Sequence, residues 1–131
     1  MIRMKITNNF NKSEFECSCG CEMPKDVQYN VQKLANQLQV LRNITGKPIS
    51  INSGYRCPDY NDNVVKGAKN SQHKLGKASD IVINGIEPDV TAEILESLII
   101  NGEVLQGGLG RYNTFTHYDI RKIKARWDYR K

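Results

Sequence analysis

The two histidines of this chain, His73 and His117, each have a carboxylate nearby in sequence. Asp80 follows His73 by seven residues, and Asp119 follows His117 by two. Two imidazoles and a carboxylate are what a catalytic zinc site asks for, the fourth position being left to water. Spacing alone fits a blander reading better: a surface histidine, a capping aspartate and a second, unrelated histidine. A second group of metal-competent side chains is formed by Cys17, Cys19 and Cys21, with Cys57 far along the chain.

The cysteines lie mostly in a segment spanning about residues 10–23. Zinc knuckles space their paired cysteines by two to four residues, so C-x-C-x-C is too tight for a standard one. Two disulfides would need an oxidising compartment. Reduced, part-buried thiols are the third reading. All three stay open, with a structural role for these thiols expected over a catalytic one.

The elements that must position these groups follow from periodicity. Val27, Val31, Leu34, Leu38 and Leu41 recur at steps of four and three and predict an amphipathic helix, with Pro24 in its first turn and Gly46 and Pro48 ending it. Residues 48–52 alternate as a strand that delivers Ser53-Gly54-Tyr55-Arg56 to the sheet edge. Residues 57–65 predict a short helix with Pro58 in its first turn, closed near Gly67. The β-branched run from Asp80 to Ile83 predicts a buried strand that opens at Asp80. A further helix starts at Glu87-Pro88-Asp89, buries Val90, Ile94, Leu95, Leu98 and Ile99, and stops at Asn101-Gly102. Gly107-Gly108-Leu109-Gly110 predicts a tight turn. It is no phosphate loop, since the lysine and serine of such loops do not follow. The strand bearing His117 completes the sheet and turns Asp119 the same way as His117. Helices and strands in this order predict an α+β fold.

At 131 residues the chain has the size of a single domain, taken here as 1–131. No segment predicts a membrane insertion, and residues 1–9 carry no apolar region of a secretory leader. The net charge of +5 suits a polyanionic partner, either nucleic acid or an anionic cell wall. The basic C-terminus, with Trp127 and Tyr129 interleaved, could bind single-stranded nucleic acid. The favoured reading is a solvated tail whose aromatics fold back on the core, because no nucleic-acid motif accompanies it.

Four motifs in order carry a resemblance: Ser53-Gly54-Tyr55-Arg56, then Ser71-x-His73-x-x-Gly76-x-Ala78-x-Asp80, then Gly108-x-Gly110-x-Tyr112, then His117-x-Asp119. Together they resemble the zinc D-alanyl-D-alanine carboxypeptidase family, which belongs with the lysostaphin-type and hedgehog-type zinc folds. The similarity is greatest to short phage and viral members that act as endolysins, some of which share a cysteine-rich start. The resemblance implies a small, mainly antiparallel sheet with helices packed on one side and a zinc cleft on the open face. It makes His73, Asp80 and His117 the Zn2+ ligands, Arg56 a substrate or oxyanion contact, and Ser71 and Tyr112 substrate-binding residues. Relatives place an acid or histidine base where this chain has Thr114 and Phe115, neither of which can act. Asp119 then becomes the local candidate for the base, and its bland role is to orient a ligand or an arginine.

The function implied is zinc-dependent hydrolysis of a bond in peptidoglycan stem peptides, by a monomer that binds no nucleic acid. The enzyme would be made in the host cytoplasm without a signal peptide and act at the bacterial cell wall. The rival readings are a non-catalytic zinc module of the same fold and a nucleic-acid-binding protein.

Overall fold

The computed structural model describes residues 4–131. Residues 1–3, the start of the stretch read for a leader, lie outside the described residues. Helix α1, Lys25–Thr45, forms on the predicted stripe, and Val27, Val31, Leu34, Leu38 and Leu41 are all buried. Each such side chain withdrawn from water stabilises the fold by about 1.5–3 kcal/mol. Pro24 stands just outside the first turn as the N-cap, and Gly46 ends the helix in the left-handed conformation, with φ 66°.

The remaining elements are β1 (Ile49–Ser53), β2 (Ala78–Ile83), α2 (Pro88–Ile100), β3 (Gly108–Arg111), β4 (Thr116–Asp119) and β5 (Ala125–Asp128). The strands form one sheet in the order β1-β2-β4-β3-β5. The pairs β1–β2, β2–β4 and β3–β4 are antiparallel, and β3–β5 is parallel. The fold is therefore α+β with a mainly antiparallel sheet, as predicted. Side chains alternate across it. Ile81 and Ile83 of β2, Leu109 of β3 and Tyr118 of β4 join the helix residues in one core. Asp80, His117, Gly110 and Trp127 alternate to the other face.

Four local expectations need correction. Strand β2 opens at Ala78, so Asp80 lies inside the strand and is paired on both sides. Gly108 and Gly110 belong to strand β3 and not to a tight turn. Their small size serves close packing: a Cβ on Gly108 would collide with the Asp119 carboxylate, and one on Gly110 with the Trp127 indole. The C-terminal segment is no loose tail, since it supplies β5, and the sheet does not end at the His117 strand. Val90 is 45% exposed, while Thr91 and Ala92 are buried in its place. The stripe through Ala92, Leu95 and Ile99 leaves Val90 about 170° away round a helix of 3.6 residues per turn.

The segment 58–65 is helical with Pro58 in its first turn, but from Tyr60 to Val65 it is wound as a π-helix. It closes on Lys66, in the left-handed conformation, one residue before Gly67.

Candidate metal centre

The site is built on one transverse row of the sheet. Ser53 pairs with Asp80, Asp80 with His117, His117 with Gly110, and Gly110 with Trp127. This row crosses all five strands, so residues from five separate stretches share one face and one level. A β-bulge sets the register at its edge. Ile51 opposes Ile81 and Ser53 opposes Asp80, which leaves Asn52 as the extra residue. Without that insertion Asn52 would face Asp80, and the Ser53 hydroxyl would be out of step with it.

His73 arrives from outside the sheet, on a 3-10 turn spanning Gln72–Leu75. Ser71 caps that turn, its Oγ accepting from the His73 backbone N–H at 3.2 Å. The His73 Nδ1–H donates to the Gly54 carbonyl at 2.7 Å, which fixes the tautomer and leaves Nε2 to face Asp80. His73 Nε2 and His117 Nδ1 converge on the same oxygen, Asp80 Oδ1, at 3.3 and 3.1 Å. The three donor atoms lie within 4.8 Å of one another, and all three residues are buried. Tetrahedral zinc with bonds of about 2.0–2.2 Å sets its N and O donors about 3.3–3.5 Å apart. The residues present fit such an ion.

The charge distribution points the same way. Both nitrogens of His117 face carboxylate oxygens, Nδ1 toward Asp80 and Nε2 toward Asp119 Oδ2 at 2.7 Å. Only a doubly protonated ring donates to both. Burial alone would lower the pKa of His117, but Asp119 and Asp80 reverse this and hold it above the ordinary imidazole value. Burial likewise pushes the Asp80 carboxyl upward, and the imidazoles of His117 and His73 more than offset it, holding it well below the usual carboxylate range. A cation in this place is thus favoured, whether a proton or a metal ion.

A metal ion must displace the proton on His117 Nδ1. Because the pKa is raised, that proton is held to higher pH than on a free histidine. It stabilises the metal-free fold at low pH, and this contribution fades as pH rises through the raised value. Metal affinity, measured by competition with a chelator, is expected to weaken by at least about tenfold per pH unit below that value and to level off above it. A flat profile from pH 5 to 8 would show that His117 does not exchange a proton for metal.

Asp119, the expected base, does not reach the cleft. Its side chain is fully buried, and it meets His117 at the ring nitrogen opposite the one facing Asp80. Its Oδ1 also accepts from the backbone N–H groups of Gly108 and Arg121, at 2.9 and 3.0 Å. The Arg121 guanidinium donates to both of its oxygens, through Nε and Nη2. Burial would raise the pKa of Asp119, but His117 and Arg121 hold it low.

Arg56 lines the cleft. Its Nε donates to Ser53 Oγ at 3.0 Å and its Nη2 to Asp80 Oδ2 at 3.3 Å. Tyr112 also lines the cleft, stacked on Phe115 with centroids 4.2 Å apart, and its hydroxyl accepts from Trp127 Nε1–H at 2.9 Å. The cleft holds about 400 Å³, with Ser71, Tyr112, Phe115, Trp127 and Tyr129 among its walls. Among the described residues lining it, Asp80 is the only carboxylate.

Sequence reasoning missed Arg121 and Trp127. Arg121 clamps Asp119 and lies 5.3 Å from the Trp127 ring, and Trp127 packs 4.9 Å from His117. The spacing of two between His117, Asp119 and Arg121 was the available signal for the arginine. Replacing Gly110 by alanine is expected to push the Trp127 indole off this row and to destabilise the fold by about 1–3 kcal/mol. Thermal unfolding and tryptophan fluorescence would check this, and unchanged values for both would show that the close approach is unimportant.

Two histidines and an aspartate that converge in a cleft on an α+β sheet are the donor set of a candidate single-metal centre. The profile of the family described as Peptidase M15 matches residues 8–119, and the chain belongs to that family. Peptidases of this family are metal-dependent, and His73, Asp80 and His117 are the candidate ligands in the cleft. Comparison with curated proteins gives no match. No helix among the described residues is long and apolar enough to cross a membrane.

Proposed function

We propose that this protein is a zinc peptidase that hydrolyses a peptide bond in the stem peptides of peptidoglycan. The observation that carries the proposal is the meeting of His73, His117 and Asp80, with donor atoms within 4.8 Å of one another, in a cleft that also contains Arg56. When bound, zinc supplies Lewis-acid polarisation of a carbonyl and acidifies water at neutral pH.

The chain's own residues do the rest. Gly54 and Asp119 hold the far nitrogens of the two imidazoles, so neither ring can turn away from the centre. Asp119 is in this reading a positioning residue, not the base. Arg56 presents guanidinium N–H groups either to a peptide oxygen as charge develops on it or to a free stem carboxylate. The Tyr112, Phe115 and Trp127 wall gives flat apolar surface to the substrate backbone and excludes water beside the reacting bond.

The charge of +5 would draw the protein to an anionic wall. Arg121, Arg126 and Arg130 are engaged by Asp119, Glu96 and Asp128, which supports a reading without nucleic acid. A lysis role in a phage is one setting in which such hydrolysis would serve. A second reading, a non-catalytic metal-binding module, is favoured by one feature: the sole carboxylate of the cleft already faces both imidazoles and Arg56.

Incubation with purified peptidoglycan, followed by mass analysis, separates the two. Fragments with new amino and carboxyl ends, abolished by a chelator and restored by zinc, are expected. Intact stems after zinc loading would establish the non-catalytic module, and new reducing sugar would mean a glycosidase.

A further inference from the structure

The four cysteines take no part in the cleft, yet the fold gathers them. Cys17, Cys19 and Cys21 come from the N-terminal segment and Cys57 from the loop after β1. Their sulfurs all lie within 4.8 Å of one another, with Cys17–Cys19 at 3.2 Å and Cys19–Cys57 at 3.6 Å. Tetrahedral zinc with Zn–S bonds of about 2.3 Å places its sulfurs about 3.8 Å apart, in the middle of this range. The space inside such a cage takes a single ion and not a multi-iron cluster.

The backbone is arranged to match. A turn closed by the Gly20 N–H on the Cys17 carbonyl, at 2.9 Å, with Gly20 at φ 83°, lets three cysteines in five residues point to one centre. The backbone N–H of Cys57 donates to Cys17 Sγ and that of Tyr60 to Cys57 Sγ, both at 3.4 Å. Both N–H groups thus point at sulfurs of the cluster. All four cysteines are free, so the two-disulfide reading is not what the structure shows. The tight C-x-C-x-C spacing, unfit for a standard knuckle, is completed by a ligand 36 residues beyond Cys21.

We propose that Cys17, Cys19, Cys21 and Cys57 form a second, structural zinc site of four thiolates, separate from the cleft. Its place in the fold indicates its purpose. The loop Gly54-Tyr55-Arg56-Cys57 joins the two sites. At one end the Gly54 carbonyl holds His73 Nδ1, and the Arg56 N–H donates to the His73 carbonyl at 3.0 Å. At the other end Cys57 enters the thiolate cage. The N-terminal segment is laid against this loop, with Tyr55 N–H donating to the Phe15 carbonyl at 2.8 Å. A Cβ on Gly54 would come within 2.8 Å of Phe15 Cα. Four metal–sulfur bonds therefore fasten the N-terminal segment to the loop that presents Arg56 and orients His73.

The site is tested on the full chain, purified under reducing conditions. Cobalt reconstitution reads it without a variant: four thiolates give intense sulfur-to-cobalt charge-transfer absorption in the near ultraviolet, which a site of two histidines and one aspartate does not. Metal analysis of the wild type should give about two zinc per chain, one for each site. A Cys19→Ser, Cys57→Ser double variant should lose one zinc and the charge-transfer band, and melt at a lower temperature. His73→Ala should lose the other zinc and keep the band, so failure of the cleft and failure of this site are told apart. A cobalt-loaded wild type without the band would overturn the proposal. So would four thiols that react freely with a thiol reagent in the native, zinc-supplied protein.

Discussion

Replacing His73 by alanine is expected to empty the cleft of its metal and to lower peptidase activity by about 100- to 1,000-fold, the scale lost when a principal electrostatic element of a site is removed. His73 contributes Nε2 to the centre, and nothing else on its turn can take that place: its neighbours in the turn are Gln72, Lys74 and Leu75. The choice of His73 over His117 is deliberate. His117 lies between two buried carboxylates, Asp80 and Asp119, and removing it leaves both without their shared partner. Breaking a buried pair in this way costs about 3–5 kcal/mol, enough to confuse loss of metal with loss of fold. His73→Ala loses the hydrogen bond to the Gly54 carbonyl and the contact of Nε2 with Asp80, and opens a small cavity, but Asp80 keeps His117 and Arg56 as partners. Metal content, activity on peptidoglycan and the thermal midpoint should be measured together. Full activity in this variant would remove His73 from the centre, and with it the case for hydrolysis at this cleft.

Asp119→Asn is expected to weaken metal binding in the cleft by about 10–100-fold while leaving most of the turnover intact once metal is saturating. Asparagine keeps the size and can still accept from His117 Nε2–H. It loses the negative charge that raises the basicity of the ring and neutralises Arg121. A positioning residue and a base separate clearly in this experiment. If Asp119 were the base, turnover at full metal occupancy would drop by about 100-fold or more, with metal affinity little changed. The complete burial of the carboxylate and its place behind His117 favour the first outcome. Some loss of stability is expected as well, because Arg121 Nε and Nη2 and the Gly108 N–H all depend on this side chain. Arg121→Lys would then weaken metal binding in the same direction, since lysine cannot hold both carboxylate oxygens with a planar fork.

The sequence by itself determined the helices and most of the strands, and it singled out the candidate ligands of the cleft. Apolar residues at steps of three and four marked α1 along its whole stripe, because burying one face of a helix is a local pattern that every residue in it obeys. The β-branched run after Asp80 marked β2 for the same reason. Motif order pointed to the candidate ligands, while spacing alone favoured two unrelated histidines and a capping aspartate. What only the tertiary structure decided were the relations between distant stretches. No local pattern shows that Ser53, Asp80, His117, Gly110 and Trp127 form one row, since that depends on a bulge at Asn52 and on the register of four strand pairs. Strand β5 was hidden because its residues are charged and half-exposed, and it is a strand only because β3 offers it an open edge. Gly108 and Gly110 suggested a turn, and the structure uses them for close approach, which requires knowing what lies on top of them. Asp119 had the right face for catalysis and the wrong depth, because strand alternation fixes direction but not what covers a side chain. The cysteines stayed ambiguous in sequence for the same reason: whether four thiols 2 to 40 residues apart can surround one ion is settled by where the chain folds back, not by their spacing.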